Sequence, residues 1–169
     1  MSVGSRNDKL KLGFLTAIGG REKGYVAGLL VTNQFGRPLE FQCTTPVKPN
    51  RTQQILYGPT LVPFIMGELI ARTLVEKVGV KPELILTDRT EILDLRNHVS
   101  TPMFCIVEES ETDDSVTIGQ QTFRAHSSFL SDHEMIAEQI ASMLSHADLA
   151  EPLERVRMAL QETISLAAA

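Results

Sequence analysis

The sequence predicts an α+β domain: an antiparallel three-stranded meander extended by further strands, a buried central helix and a C-terminal helical pair. Two observations lead to this prediction. Short segments rich in β-branched and aromatic residues alternate with glycine-rich turns near the N-terminus. A long apolar segment follows them, and segments with helical periodicity end the chain. With 169 residues, 43% of them hydrophobic, the chain is long enough for one domain with its own core.

The meander is predicted from residues 11–44. The segments "KLGFLTAI" and "GYVAGLLVTN" flank the polar, glycine-rich "GGREKG", which is typical of a β-hairpin. The turn "NQFGRP" leads to a third strand, "PLEFQCT", where Leu39, Phe41 and Cys43 alternate with polar residues and are expected on the inner face. Gly28, in the middle of the second strand, indicates a bulge or a close approach by a helix.

The apolar segment "TLVPFIMGELIARTLVEKVG" predicts the central helix. Apolar residues cover most of its circumference, as in a helix that lies buried across a sheet. Thr60 is a candidate N-cap, and Gly79 is expected to end the helix in the left-handed conformation.

The next segments predict alternating strands and helices. "PELILTD" has the composition of a buried strand, and Asp88 with Glu91 has the capping-box spacing that would start a helix over "RTEILDLRN". "TPMFCIVEE" predicts another strand, which contains Cys105. The acidic run Glu108–Ser115 then predicts a solvated loop.

A small hairpin about Gly119 is predicted from "VTIGQQTFRA", and two helices are expected within residues 131–166. Ser131 and Asp148 are the residues at which these helices would begin. The second helix carries a narrow apolar stripe, which consists of Leu149, Leu153, Val156, Leu160 and Ile164. We expect residues 1–10 to be a flexible N-terminus and residues 11–169 to form the domain.

The amino-acid composition limits the cellular compartments and the classes of partner to be expected. The chain has only two cysteines and no apolar stretch of signal-peptide or membrane-span length, so we expect a cytoplasmic protein without a membrane partner. Residues 1–51 hold eight basic and three acidic side chains, a net charge of +5, while the remainder carries -10. This basic half would attract an anion or nucleic acid, or would meet the acidic half or a subunit. The second interpretation is favoured, so a protein partner or self-association is expected ahead of nucleic acid.

Catalytic motifs are not complete in this sequence. His133 and Glu134 begin like the zinc-protease helix motif, but position 137 is alanine where a second histidine is required. The other histidines, at positions 98, 126 and 146, have no further histidine or cysteine at ligand spacing, and both cysteines lie in apolar segments. Phosphate-binding glycine motifs and the Gly-x-Ser-x-Gly elbow are also absent. No catalytic residue, metal site or cofactor is therefore predicted from motifs.

The order of elements provides an alternative. Three antiparallel strands, a long helix, a strand ending in Asp88, a shorter helix and another strand resemble ribonuclease-H-like folds. In that fold, carboxylates on the first strand, the first helix and the fourth strand hold paired metal ions. Asp88 and Glu68 match two of these places, whereas "LGFLTAI" has no acid, and Glu40 is the candidate for a third carboxylate. The resemblance implies the fold rather than nuclease activity, and Asp88 as a helix N-cap is preferred.

A second resemblance concerns the sequence itself. "GLLVTNQFGRPLEFQCTTPVKPNRTQQILYGPTL" and "VKPELILTDRTEILDLR" resemble a family of bacterial proteins of planctomycete type, over about residues 12–105. That family implies no activity, so it assigns no functional residue.

The proline-rich segment "CTTPVKPNRTQQILYGPT" is the predicted binding surface. Its prolines stiffen a corner between strand and helix, from which five side chains would project: Lys48, Asn50, Arg51, Gln53 and Tyr57. A structural role is the alternative, with Asn50 capping a helix and Tyr57 covering the edge of the core.

The favoured function is a non-catalytic binding or assembly module that uses this corner and the last helix. The alternatives are a metal-dependent hydrolase or nuclease-like enzyme with Glu40, Glu68 and Asp88, and an anion-binding or nucleic-acid-binding domain.

Overall fold

One mixed sheet of seven strands organises the computed structural model, which describes residues 10–108, 115–137 and 148–168. The strand order is β3-β2-β1-β4-β5-β7-β6. The strands are β1 Lys11–Gly20, β2 Gly24–Asn33, β3 Pro38–Cys43, β4 Leu84–Thr87, β5 Met103–Val107, β6 Ser115–Ile118 and β7 Gln121–Arg124. Strands β1, β2 and β3 pair antiparallel, while β4 is parallel to β1 and β5 is parallel to β4. The predicted meander and its extension by further strands are confirmed.

Helical segments connect the strands. A corner helix, Arg51–Tyr57, precedes the central helix, which consists of Leu61–Pro63, the π-helical Phe64–Ala71 and Arg72–Lys77. A 3₁₀ helix follows β4, a short helix follows β7, and the last helix ends the chain. These three are Thr90–Asn97, Asp132–Met135 and Ala150–Ala168.

Two hydrophobic layers cover the sheet. On one face the central helix packs on the inner strands, with Leu61, Ile65 and Ile70 among its buried residues. On the other face Leu153 and Leu160 of the last helix are fully buried over the same strands. Strands β1 and β2 are therefore covered on both sides, which explains why their sequences are apolar almost without alternation.

The run Arg51–Lys77 is long and apolar enough to cross a membrane, with a mean hydropathy of 1.3. A core helix meets the same criterion. One third of this apolar window is buried, with Leu61, Ile65 and Ile70 in one of the two cores, while Leu69 is exposed.

The last helix approaches β2 closely at Gly28. A Cβ atom at this position would lie 2.9 Å from Val156 Cγ1 and 3.1 Å from Leu160 Cδ2, so the close approach predicted for Gly28 is confirmed. The stripe from Leu149 to Leu160 is buried against the protein's own sheet, and only Ile164 is partly exposed. The buried part of the stripe, from Leu149 to Leu160, is therefore not available to a partner.

Two local predictions are wrong. Leu39, Phe41 and Cys43 are all exposed, because β3 is the edge strand of the sheet and the last helix packs on β1 and β2. Gly79 does not adopt the left-handed conformation, because the central helix ends at Lys77 and Val78 is already extended. The amides of Gly79 and Val80 instead donate to the carboxylate of Glu40. Residues 1–9, most of the acidic loop and His146 lie outside the described residues.

Candidate functional site

Asp88 directly follows β4 and lies beside the middle of the parallel strand β1. The register pairs Leu12 with Leu84 and Phe14 with Leu86, which brings Asp88 level with Thr16. Thr16 is fully buried, and its Oγ1 donates a hydrogen bond of 2.6 Å to Asp88 Oδ1. The carboxyl ends of parallel strands are the usual place for a binding site in such sheets.

The other oxygen of Asp88 faces the last helix. Arg157 forms an ion pair with Asp88 Oδ2, and its Nη2 also lies 2.7 Å from Glu154 Oε2. A cavity of about 430 Å³ opens beside this pair, with Val107, Glu108 and Leu153 in its wall. We call the group of Thr16, Asp88, Glu154 and Arg157 the Asp88 corner.

The prediction that Asp88 caps a helix is wrong. Arg89 occupies the N-cap position of the 3₁₀ helix, and no side chain makes a capping hydrogen bond there. The carboxylate of Asp88 is taken by Thr16 and Arg157 instead. The cap was predicted from the spacing of Asp88 and Glu91. The sequence gives no signal that Arg157, on the last helix, lies against Asp88.

Exposed cations lie at the same end of the sheet as Asp88, where β1 ends. Arg21 and Lys23 belong to the hairpin that follows β1. Val47 is hydrogen-bonded through its backbone to Tyr25, which places Lys48 beside that hairpin, and Arg51 begins the corner helix. We call these four side chains, Arg21, Lys23, Lys48 and Arg51, the basic edge.

Within the corner helix the polar residues have structural partners. The Gln53 amide donates to Asn50 Oδ1 at 2.8 Å, and the Asn50 amide donates to Gln53 Oε1 at 3.0 Å, which forms a capping box. The ring of Tyr57 stacks on Phe64 with centroids 4.5 Å apart. Lys48 and Arg51 are the two cations of the predicted binding surface and are exposed.

The three carboxylates proposed as alternative metal ligands have separate environments. Glu40 accepts hydrogen bonds from Gln42 and from the amides of Val80 and Gly79, and these bonds hold the pKa of its carboxyl below the usual range. Glu68 lies near His98, and Asp88 lies in its own corner. Within residues 10–108, 115–137 and 148–168, these three acids do not form one ligand cluster.

A different cluster joins Glu68 to the 3₁₀ helix. Glu68, Asp94 and His98 each offer one ligand atom, and these atoms lie within 4.8 Å of one another. His98 Nε2 is 4.0 Å from Glu68 Oε2 and 3.9 Å from Asp94 Oδ2. The sequence signal for this cluster is the four-residue spacing of Asp94 and His98. This signal was missed because only histidine and cysteine were considered as partners for His98.

The strand order and the central helix between β3 and β4 are those of a ribonuclease-H-like fold. Two crystal structures of human endonuclease V share it. One matches 95% of this chain and 86% of its own at 13% identity, with a TM-score of 0.55. The catalytic domain of the human enzyme matches 94% of this chain and 84% of its own at 13% identity, with a TM-score of 0.53. No protein-family model and no curated protein matches the chain.

These similarities bear on the earlier predictions. The ribonuclease-H-like order of elements is confirmed. The prediction of a non-catalytic binding or assembly module is contradicted, because the similar structures are those of an endonuclease, and the nuclease-like alternative fits better.

The Asp88 corner does not fit the paired metal ions associated with this fold. The first strand offers the hydroxyl of Thr16 instead of a carboxylate, and Arg157 already neutralises Asp88. A divalent ion at Asp88 would have to compete with this guanidinium and would lack a second strand carboxylate. Arg157 is the cation of this corner, and it is shared between Asp88 and Glu154.

Proposed function

We propose that the protein is a nuclease-like enzyme that acts on the phosphodiester backbone of nucleic acid at the Asp88 corner. One observation carries this proposal. A half-buried carboxylate lies at the carboxyl end of β4, beside β1, in a ribonuclease-H-like fold, next to a cavity and an arginine.

The exposed cations of the basic edge would bind a polyanionic substrate. The basic edge lies on the side of the sheet where β1 ends, which is also the side of Asp88. Exposed lysine and arginine side chains bind nucleic acid phosphates with little dependence on sequence, and counterion release makes that binding sensitive to salt. Arg157, at the wall of the cavity, is the group that would take the phosphate at the reaction centre.

Each residue of the Asp88 corner that contacts the substrate or Asp88 has a step in the proposed reaction. When the guanidinium of Arg157 moves from Asp88 to the substrate phosphate, Asp88 Oδ2 is left to accept a proton from a water molecule. The water oxygen then attacks phosphorus, the bond to the leaving sugar oxygen breaks, and that oxygen takes a proton from solvent. Thr16 holds Oδ1 and so keeps Oδ2 directed at the cavity. Arg157 offsets the charge on the phosphoryl oxygens.

Cleavage assays with one substitution test the chemistry. Fluorescently labelled single-stranded and double-stranded DNA and RNA would be incubated with the wild-type chain, Asp88→Asn and Glu83→Gln, in buffers with Mg²⁺, Mn²⁺ or chelator. Glu83 is an exposed acid at the opposite end of β4 and serves as the matched control. We expect cleavage by the wild type and Glu83→Gln and a loss of about 100-fold or more in Asp88→Asn. Equal rates in Asp88→Asn, or no product from any substrate, would overturn the proposal.

Binding assays test the basic edge separately. Affinity for a labelled oligonucleotide would be measured across a range of salt for the wild type, Lys48→Ala with Arg51→Ala, and Lys11→Ala. Lys11 lies at the opposite end of β1. We expect the double substitution to reduce the slope of log affinity against log salt by about two, one for each lost phosphate contact. An unchanged slope would show that Lys48 and Arg51 do not contact the phosphates of the nucleic acid.

The cellular location belongs to the same proposal. Free Cys43 and Cys105 suit a reducing compartment, and the cytoplasm would also supply nucleic acid as a substrate.

A further inference from the structure

We infer that Glu68, Asp94 and His98 form a binding site for a first-row divalent transition-metal ion, separate from the Asp88 corner. The site consists of one imidazole and two carboxylates, all half-buried, between the π-helical segment and the 3₁₀ helix. It does not depend on the proposed nuclease activity.

The backbone around the site brings two helices unusually close. Gly67 faces the 3₁₀ helix, and a Cβ atom at this position would lie 2.8 Å from Asp94 Cβ and 3.1 Å from the Leu95 amide nitrogen. Glycine is therefore required for this approach. Glu68, the next residue, lies within the π-helical segment, a rare conformation that is common at functional sites.

The distances are close to those of a coordinated ion. Bonds from Zn²⁺ to nitrogen and oxygen ligands are about 2.1 Å, so tetrahedral ligand atoms are about 3.4 Å apart. His98 Nε2 is 4.0 Å from Glu68 Oε2 and 3.9 Å from Asp94 Oδ2, so each pair has to close by about half an ångström around such an ion. The ligand atoms of Glu68 and Asp94 lie within 4.8 Å of each other, so this pair has to close by at most about 1.4 Å.

One ligand is oriented by a neighbour. Asn97 Nδ2 donates to Asp94 Oδ1 at 3.2 Å, which leaves Oδ2 as the oxygen that faces His98. A hydrogen bond of this kind, from outside the ligand set, fixes a metal-binding carboxylate in one orientation. Asn97 in turn lies 3.4 Å from His126 Nε2.

The charge of the cluster also favours a cation. Among the described residues, no lysine or arginine forms an ion pair with Glu68 or Asp94, whereas Asp88 is paired with Arg157. Two neighbouring carboxylates repel each other unless a cation lies between them. An imidazole with two carboxylates suits Mn²⁺, Co²⁺ or Zn²⁺ better than Mg²⁺ or Ca²⁺, which prefer oxygen ligands alone.

Cobalt provides a direct test, because its visible absorption reports ligand type and number. The full chain, stripped with chelator, would be titrated with Co²⁺, and bound metal would be counted by elemental analysis after gel filtration. We expect one equivalent of Co²⁺ per chain, an absorption spectrum that indicates nitrogen and oxygen ligands, and a metal-dependent rise in Tm.

Four variants locate the ion. Glu68→Gln and His98→Gln should each weaken Co²⁺ binding at least tenfold, while Glu76→Gln, an exposed acid on the same helix, should bind as the wild type does. Asp88→Asn should also bind normally, which separates this site from the proposed nuclease centre. Circular dichroism would verify that each variant is folded. Absence of stoichiometric binding, equal binding in Glu68→Gln and His98→Gln, or loss of binding only in Asp88→Asn would overturn the inference.

Discussion

Thr16 and Asp88 lie 72 positions apart in the chain and are joined by a hydrogen bond of 2.6 Å between the middle of β1 and the end of β4. A threonine thus stands in the first strand, where ribonuclease-H-like folds carry a metal-binding carboxylate. The hydroxyl is buried, so this bond contributes to stability as well as to the orientation of Asp88.

Replacing Thr16 by valine should destabilise the fold. Valine has the same shape but no hydroxyl, so Asp88 loses its buried donor while the core keeps its packing. We expect the free energy of unfolding to fall by about 1.5–3 kcal/mol, the range for a hydrogen bond to a charged group. Urea unfolding would measure it, with the buried Thr32→Val as a control, because the hydroxyl of Thr32 donates only to the Asn33 backbone carbonyl. An equal loss in both variants would show that the charge of Asp88 is unimportant.

Adding a methyl group at Gly28 should force the last helix away from the sheet. In Gly28→Ala the new Cβ would contact Val156 and Leu160 below the normal van der Waals distance. We expect a loss of about 1–3 kcal/mol. Gly20→Ala is the matched control in the neighbouring strand, since no atom lies within 4 Å of its Cβ position. If thermal unfolding shows no difference between the two variants, the contact is not tight.

The ion pair between Arg96 and Asp132 should be worth more than the exposed pairs. Arg96 Nε is 2.9 Å from Asp132 Oδ2, Asp132 is buried, and the guanidinium also stacks over Phe129. Asp132→Asn leaves Arg96 without its counter-charge and is expected to cost about 2–4 kcal/mol.

The exposed pair of Arg72 and Glu76 provides the comparison for this prediction. Removing it with Arg72→Gln should cost no more than about 0.5 kcal/mol. Chemical denaturation of both variants would establish the order. A larger loss for Arg72→Gln would contradict the prediction.

Glu40 predicts a dependence of stability on pH. Hydrogen bonds from Gln42, Val80 and Gly79 lower the pKa of its carboxyl in the folded protein, so its ionised form stabilises the fold. This contribution is complete above the pKa of the unfolded chain, about 4.3, and disappears as the pH falls through the lower folded value. The Tm of Glu40→Gln should therefore lie below that of the wild type at neutral pH, and the difference should shrink below about pH 4. A constant difference across this range would contradict it.

The two cysteines should differ in reactivity. Cys43 is exposed on the edge strand, whereas burial raises the pKa of the Cys105 thiol to about 12 and keeps it as the unreactive thiol. A thiol reagent at pH 8 should modify one cysteine in the native protein and the second only in denaturant, and Cys43→Ser should leave none in the native state. Rapid modification of Cys105 would contradict its burial.

The sequence predicted the parts of the fold that depend on local pattern. The hairpins about "GGREKG" and Gly119, the meander and the central helix all follow from alternation, turn residues and apolar content. The inner-face prediction for Cys43 failed because alternation identifies a face but does not say whether a helix covers it. An edge strand such as β3 can show alternating apolar and polar residues although its apolar side chains are exposed.

The candidate sites depend on contacts between distant segments. Thr16, Asp88 and Arg157 come from a strand, a strand end and the last helix, and only the folded sheet brings them together. Glu68 lies near Asp94 and His98 because Gly67, which has no side chain, allows the 3₁₀ helix to pack closely against the central helix. Short-range spacing could identify the capping pattern at Asp88 but not the long-range hydrogen bond and ion pair that replace it.

The last helix links two properties that are usually independent. Its apolar side chains close one hydrophobic layer, and its Arg157 neutralises Asp88. Any local opening that lifts this helix would expose apolar surface and liberate a negatively charged side chain in the same event. Opening of this helix would therefore unmask the carboxylate independently of the side-chain movement proposed for Arg157, and hydrogen exchange in residues 150–165 would report on it.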